Sequence, residues 1–156
     1  MHLKRYTDFS LRVLIYLGLH RDRLVTIAEI ASAFDISRNH LMKVAQSLTA
    51  SGFVRSVPGK NGGLALARNP ADINLGQVIR LMEGNFDIVE CFNPDANTCR
   101  ILPVCNLKAL LHDATDRFLE SLDQYTIQDL LKRKGALSRL TSPEHTETPD
   151  SHDLPA

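Results

Sequence analysis

The sequence predicts a mainly α-helical chain with one small β-hairpin, and three observations carry that prediction. Two short helix-forming stretches, one opening at TIAE and one at SRNHL, are separated by a tight turn. Directly after them, the strand-like segments FVRSV and LALA flank PGKNGG. Far downstream, apolar residues recur at i, i+3, i+4 and i+7 through residues 107–122. A helix-turn-helix followed at once by a hairpin is a winged helix-turn-helix, and the long stripe adds a C-terminal dimerisation helix.

Each element has a local reason. Thr7 caps a first helix through DFSLRVLIYLGLH, whose apolar residues nearly surround it and so imply burial. Gly18 and the charged RDR then loosen the chain. Thr26 and Glu29 have capping-box spacing, each side chain meeting a backbone N–H in the other's turn, and a short helix follows to about Phe34. Asp35 and Ile36 make the turn; Ser37 caps again, and Leu41, Val44, Ala45 and Leu48 recur at helical spacing until Gly52. The Asn61-Gly62 pair is a strong hairpin signal between the two strand-like segments. Asp72 or Asn74 caps a fourth helix with the stripe Leu75, Val78, Ile79, Met82, stopped by Gly84. Asn106 opens the long helix, striped by Leu107, Leu110, Leu111, Ala114, Phe118 and Leu122. No large element remains to cover that stripe, which points to a second copy of the chain. Thr126 and Asp129 cap one more helix, TIQDLLKRK. Residues 1–70 thus form the winged helix-turn-helix, 71–140 a cysteine loop with dimerisation helices, and 141–156 a polar, acidic, proline-broken tail that is expected to be disordered.

Charge is balanced overall, 18 basic against 18 acidic residues, but unevenly distributed. Residues 1–70 hold ten Lys or Arg and four Asp or Glu (+6), residues 71–140 eight against ten (−2), and the tail four acids (−4). The basic half can face phosphates. On the outer face of the second helix of the pair, Ser37, Arg38, Asn39, His40, Lys43 and Gln46 are available to DNA. Arg and Asn can make bidentate contacts to guanine and adenine edges, and Lys suits phosphate. At the wing tip, Lys60 and Asn61 stand beside Gly62, whose backbone can approach a groove closely. Taken singly, a polar helix surface or a surface turn is unremarkable; their succession in a basic half points to DNA.

No run approaches the roughly 18 apolar residues of a membrane span, and MHLKRYTDF lacks the apolar core of a signal peptide, so no membrane association and a cytosolic location are expected. In that compartment thiols stay reduced. All three cysteines, Cys91, Cys99 and Cys105, fall in CFNPDANTCRILPVC, spaced C-x7-C-x5-C. Structural zinc favours closer knuckles and four ligands. A wide loop of turn-formers can wrap a larger object such as an iron-sulfur cluster, three thiolates serving three irons. Zinc, a thiol switch and inert loop cysteines are the other readings of this spacing. The six His are scattered, and GKNGG lacks the P-loop pattern, so no enzyme is expected. A small iron-sulfur electron carrier would leave the wing and the basic half without purpose.

TDFSLRVLIYL, SRNHLMKVAQSL, VRSVPGKNGGLAL, the cysteine loop with NLKALL, and LDQYTIQDLL together resemble the Rrf2 family of winged-helix repressors, in particular its nitric-oxide-sensing members. The similarity runs in order over residues 1 to about 135. The resemblance implies a homodimeric repressor on a palindromic DNA operator, with nitric oxide as effector and derepression of detoxification genes as output. It further implies an iron-sulfur cluster, four-iron four-sulfur in preference to two-iron two-sulfur, held by Cys91, Cys99 and Cys105, with Asp8 of the other subunit as the fourth ligand. Arg12, one turn beyond Asp8, is placed to orient that carboxylate or bridge to it. Related cluster-assembly regulators use a histidine three residues after the last cysteine, where this chain has Lys108. The first gap, seven residues, is longer than the five or fewer usual in the family. Two extra residues cost little in closure entropy, so ligation is expected to survive.

Overall fold

The structure is a computed structural model that describes residues 2–142. Its first helix, α1, spans Arg5–Leu19 and is the hub of the chain, packing on α2 (Ile27–Phe34), α3 (Arg38–Ala50), α4 (Leu75–Glu83) and the hairpin β1 (Val54–Val57) and β2 (Gly63–Leu66). One continuous core joins Val13, Leu14 and Leu17 of α1 to Ile30, Leu41, Leu48 and Phe53 on one side. On the other side it reaches Ile73, Val78, Ile79, Leu119 and Ile127, and so crosses from residues 1–70 into the segment beyond.

α1 differs from expectation at both ends. It begins at Arg5, and its N-cap, Lys4, makes no side-chain cap bond. Thr7 is not the cap; it is fully buried and donates its hydroxyl proton to Glu83 Oε2 at 2.6 Å. That carboxylate also accepts from the Lys4 backbone N–H at 3.1 Å, so a residue 79 positions away caps the helix. At the other end Gly18 does not loosen the chain. It lies inside α1, where an added Cβ would stand 2.7 Å from Leu131 Cδ1; its bareness lets the helix touch the C-terminal segment.

The helix-turn-helix forms as its local signals dictate. Thr26 and Glu29 make the reciprocal capping box, Asp35 takes a left-handed conformation (φ 51°) in the turn, and Ser37 accepts the His40 N–H to start α3. Val25 pairs with Leu64, adding a third short strand contact beside β2. In the antiparallel hairpin Val54 faces Leu66 and Val57 faces Gly63, leaving residues 58–62 as a five-residue tip. Its positive φ sits at Gly59 (106°), not within the Asn61-Gly62 pair. Gly62 is required instead because a Cβ there would collide with the Val57 carbonyl oxygen.

Asn74 caps α4 by accepting the Gln77 N–H at 2.9 Å, and the predicted stripe Leu75, Val78, Ile79, Met82 is buried throughout. The long helix α5 (Leu107–Asp123) packs on α4 through Leu119 and Thr115, with Phe118 and Leu122 half-buried. A fork of Arg80 locks the two helices, meeting Asp123 at 2.6 and 2.7 Å; Gly76 makes room, since a Cβ there would strike Asp123 Oδ1. The expected helix TIQDLLKRK is two pieces, α6 (Ile127–Leu130) and α7 (Lys134–Leu140). The break comes where Leu131 turns inward against Gly18, while Thr126 and Asp129 make their capping box as predicted. The chain bonds around Tyr125 and Ile127 tie the start of α6 to the start of α4. Beyond Ser142 the acidic tail lies outside the described residues.

Candidate functional site

The outer face of α3 presents Arg38, Asn39, His40, Lys43 and Gln46 to solvent, with Ser37 exposed at its start. Ser37 and His40 engage each other, Oγ to Nδ1 at 2.9 Å, so the cap also fixes the imidazole. Among the described residues no acid is paired with Arg38, Lys43 or Lys60, whereas Arg23, Arg80 and Arg117 each hold a carboxylate. The cations of this face are therefore left for an external anion. Lys60 and Asn61 are exposed at the wing tip and Gly62 is half-buried behind them. α3 is braced from below: the Tyr6 hydroxyl donates to the Lys43 carbonyl oxygen at 3.1 Å and also bonds Ser47 Oγ, and Phe9 lies 6.1 Å from the His40 ring.

Residues 85–106 form the cysteine loop between α4 and α5. Cys91, Cys99 and Cys105 are half-buried and unpaired. Short 3-10 turns at Glu90–Phe92 and Leu102–Val104 shape the loop, as do the Asn93 and Asn97 side chains, which accept the N–H groups of Asp95 and Cys99. Phe92, next to Cys91, stacks on His112 of α5, 3.9 Å between centroids and 12° from parallel. The loop thus brings the three thiols into one segment, but among the described residues no three His, Cys, Asp or Glu side chains are gathered around a common point. The donor set nonetheless fits an iron-sulfur cluster: three free thiols, accessible, on a segment with little packing of its own. Asp8 is half-exposed and meets Arg12 at 2.8 Å. Arg12 in turn lies over the Phe34 ring, 5.8 Å from its centroid, linking the first turn of α1 to the end of α2.

Glu83 was not among the residues singled out by sequence, though a signal existed. Four residues beyond Ile79 it falls on the buried stripe of α4, and a carboxylate on an apolar face requires a partner. It bonds Lys4 and Thr7 immediately before the cysteine loop begins, so loop and α1 share one attachment point. Phe92 and His112 carried no such signal, because a stacked pair twenty residues apart across a loop has no periodicity.

A family model described as "Rrf2: Iron-dependent Transcriptional regulator" matches residues 3–133. The chain is 47% identical over 141 residues to a protein of Bacillus subtilis strain 168 named HTH-type transcriptional regulator NsrR, covering 90% of this chain and 97% of that one. It is 45% identical over 141 residues to the protein of the same name from Halalkalibacterium halodurans, again 90% and 97%. Among solved structures, T. potens IscR superposes with a TM-score of 0.68 at 26% identity, covering 85% of this chain and 88% of that one. Oxidised Staphylococcus aureus CymR gives 0.67 at 25% identity, covering 85% and 97%. The relatives are transcriptional regulators, and no helix among the described residues is long and apolar enough to cross a membrane.

Proposed function

Because the chain belongs to the Rrf2 family of transcriptional regulators, we propose that it is a homodimeric repressor whose grip on a palindromic operator is controlled by an iron-sulfur cluster sensitive to nitric oxide. One observation carries this reading. A single chain combines a winged helix-turn-helix whose outward cations lack protein partners with a loop of three free thiols joined through Glu83 to the helix that braces α3.

Cys91, Cys99 and Cys105 hold the cluster, and Asp8 of the partner subunit completes the set. When bound, such a cluster supplies iron sites that nitric oxide occupies in competition with protein ligands. A carboxylate is a weaker iron ligand than a thiolate. Once free, Asp8 finds Arg12 of its own chain within 2.8 Å, and Arg12 rests on Phe34 at the end of α2. Asp8 is thus shared between two partners, one across the dimer and one on α1. The choice between them bears on α1, and Tyr6 passes the bias to α3 through Ser47 and the Lys43 carbonyl. Two recognition helices must meet half-sites about 34 Å apart, so a small tilt of α3 removes simultaneous contact.

The deciding experiment is an anaerobic absorption spectrum with iron and sulfide counts, before and after nitric oxide, coupled to operator binding. Cluster signal and operator grip are expected to fall together. Cys99→Ala protein is expected to be colourless and unable to hold the operator; a colourless variant that still binds would remove the cluster from the switch. Zinc without sulfide in the purified protein would favour a metal-thiolate switch on the same scaffold.

A further inference from the structure

Behind the wing, three arginines converge from three places. Arg21 comes from the turn after α1, Arg55 from β1, and Arg68 from just beyond β2; with Ala65 and Leu66 they line a small hollow of about 100 Å³. All three are exposed. Among the described residues none of them forms an ion pair or donates a side-chain hydrogen bond to the protein, although Arg23, two residues from Arg21, is held by Glu29 at 2.8 Å. Each guanidinium presents five N–H donors in a planar fork suited to phosphate oxygens. One is held in place in advance. Arg68 lies over the Phe53 ring, 5.4 Å from its centroid, and Gly52, at φ +70°, leaves space where a Cβ would stand 3.2 Å from Arg68 Nη2.

Like charges gathered without a counter-charge raise the energy of the folded chain unless an anion answers them. The hollow lies on the hairpin that carries Lys60 and Asn61. Arg55 is two residues from Val57, the last ladder position before the tip, roughly 7 Å along the strand at 3.3–3.4 Å per residue. That is about two steps of 3.4 Å along one strand of a duplex. We propose that Arg21, Arg55 and Arg68 form a clamp for the DNA sugar-phosphate backbone beside the wing, extending the footprint beyond the bases that α3 and the wing tip reach. The inference rests on the DNA-binding reading given above.

The test uses full-length, anaerobically purified protein and measures the affinity for operator and for random duplex across a salt series. Arg21→Gln/Arg55→Gln/Arg68→Gln is expected to weaken both duplexes equally. Its log–log salt slope should become shallower by about 1 to 2, at about 0.9 per phosphate released. Arg55→Gln alone, a change on an exposed strand position, should flatten the slope by about 0.9 and keeps the test available should the triple variant not fold. An unchanged slope overturns the clamp, as does a loss confined to the operator, which would mark base reading. Calorimetric titration with inorganic phosphate covers the other source of the anion: phosphate binding lost in the variant while the DNA slope persists would also overturn it. A wild-type protein with no salt-dependent DNA binding would instead sink the DNA-binding reading itself.

Discussion

At the scale of single residues, Glu83 is the side chain on which most depends. Its carboxylate is 7% exposed and satisfies both the Thr7 hydroxyl and the first free N–H of α1. Glu83→Ala would strand a buried hydroxyl and uncap a helix that has no local cap. Urea unfolding should show a loss of about 1–3 kcal/mol with an unchanged m-value. Gly76→Ala is the second informative change. Alanine favours a helix, yet here its Cβ must displace Asp123 from the Arg80 fork, so a gain of propensity becomes a net loss of about 1–3 kcal/mol in the same measurement. The fork also has a pH signature. The Arg80 guanidinium, by hydrogen bonding first and by charge second, holds the Asp123 carboxyl below its ordinary value of 3.8. A carboxylate depressed in the folded state stabilises fully above its unfolded pKa and less as pH falls through the folded one. The stability difference between wild type and Asp123→Asn should therefore be constant above about pH 5 and shrink below pH 4, read from denaturant midpoints across that range.

At the scale of elements, what was legible in the sequence was whatever a short window contains. The capping boxes at Thr26 and Thr126, the Ser37 and Asn74 caps and the four-residue stripe of α4 are all decided within one or two helical turns, and all form as the spacing requires. The features that escaped are those whose second half lies far along the chain. Gly18 reads as a breaker until Leu131 arrives 113 positions later to pack on it, and the same contact divides α6 from α7. Thr7 reads as a cap until Glu83 is known to be its partner. The three site cysteines and the exposed faces of α3 and the wing could be found from residue type and order. Arg21 and Arg68 could not, because only the fold brings the turn after α1 beside the hairpin. The stack of Phe92 on His112 belongs here too, as the one ring contact fastening the cysteine loop to α5. His112→Ala is expected to raise amide hydrogen exchange at residues 90–97 by at least several-fold while leaving α4 and α5 protected, a local loosening rather than a global one.

At the scale of the whole molecule, α5 leaves an apolar face unmatched. Leu107 is 57% and Leu110 65% exposed, and Ile101 and Val104 at the end of the cysteine loop are exposed with them. Thr115, Leu119 and the half-buried Phe118 and Leu122 cover only the C-terminal half of the helix against the core. A second copy of the chain laid along the N-terminal half would bury these residues and place two cysteine loops at the seam, as a shared ligand requires. Leu107→Lys/Leu110→Lys should shift sedimentation from dimer to monomer while thermal unfolding of the isolated chain changes little. Operator affinity should fall by at least a hundredfold, because one reading head then binds without the other.

The fork between Arg80 and Asp123 reaches further than its own two helices. It fixes both banks from which residues 85–106 spring, so the span to be bridged is set before that segment adopts any shape. A strip of chain hung between immovable posts can be lengthened at a charge that grows only with the logarithm of its size, about 0.6 kcal/mol for each doubling. The unusually wide spacing before Cys99 is then no burden to the scaffold. The same reasoning makes this segment a cassette: it could be exchanged for one of different length and donor chemistry, re-tuning the molecule's sensitivity while its reading head stays as it is.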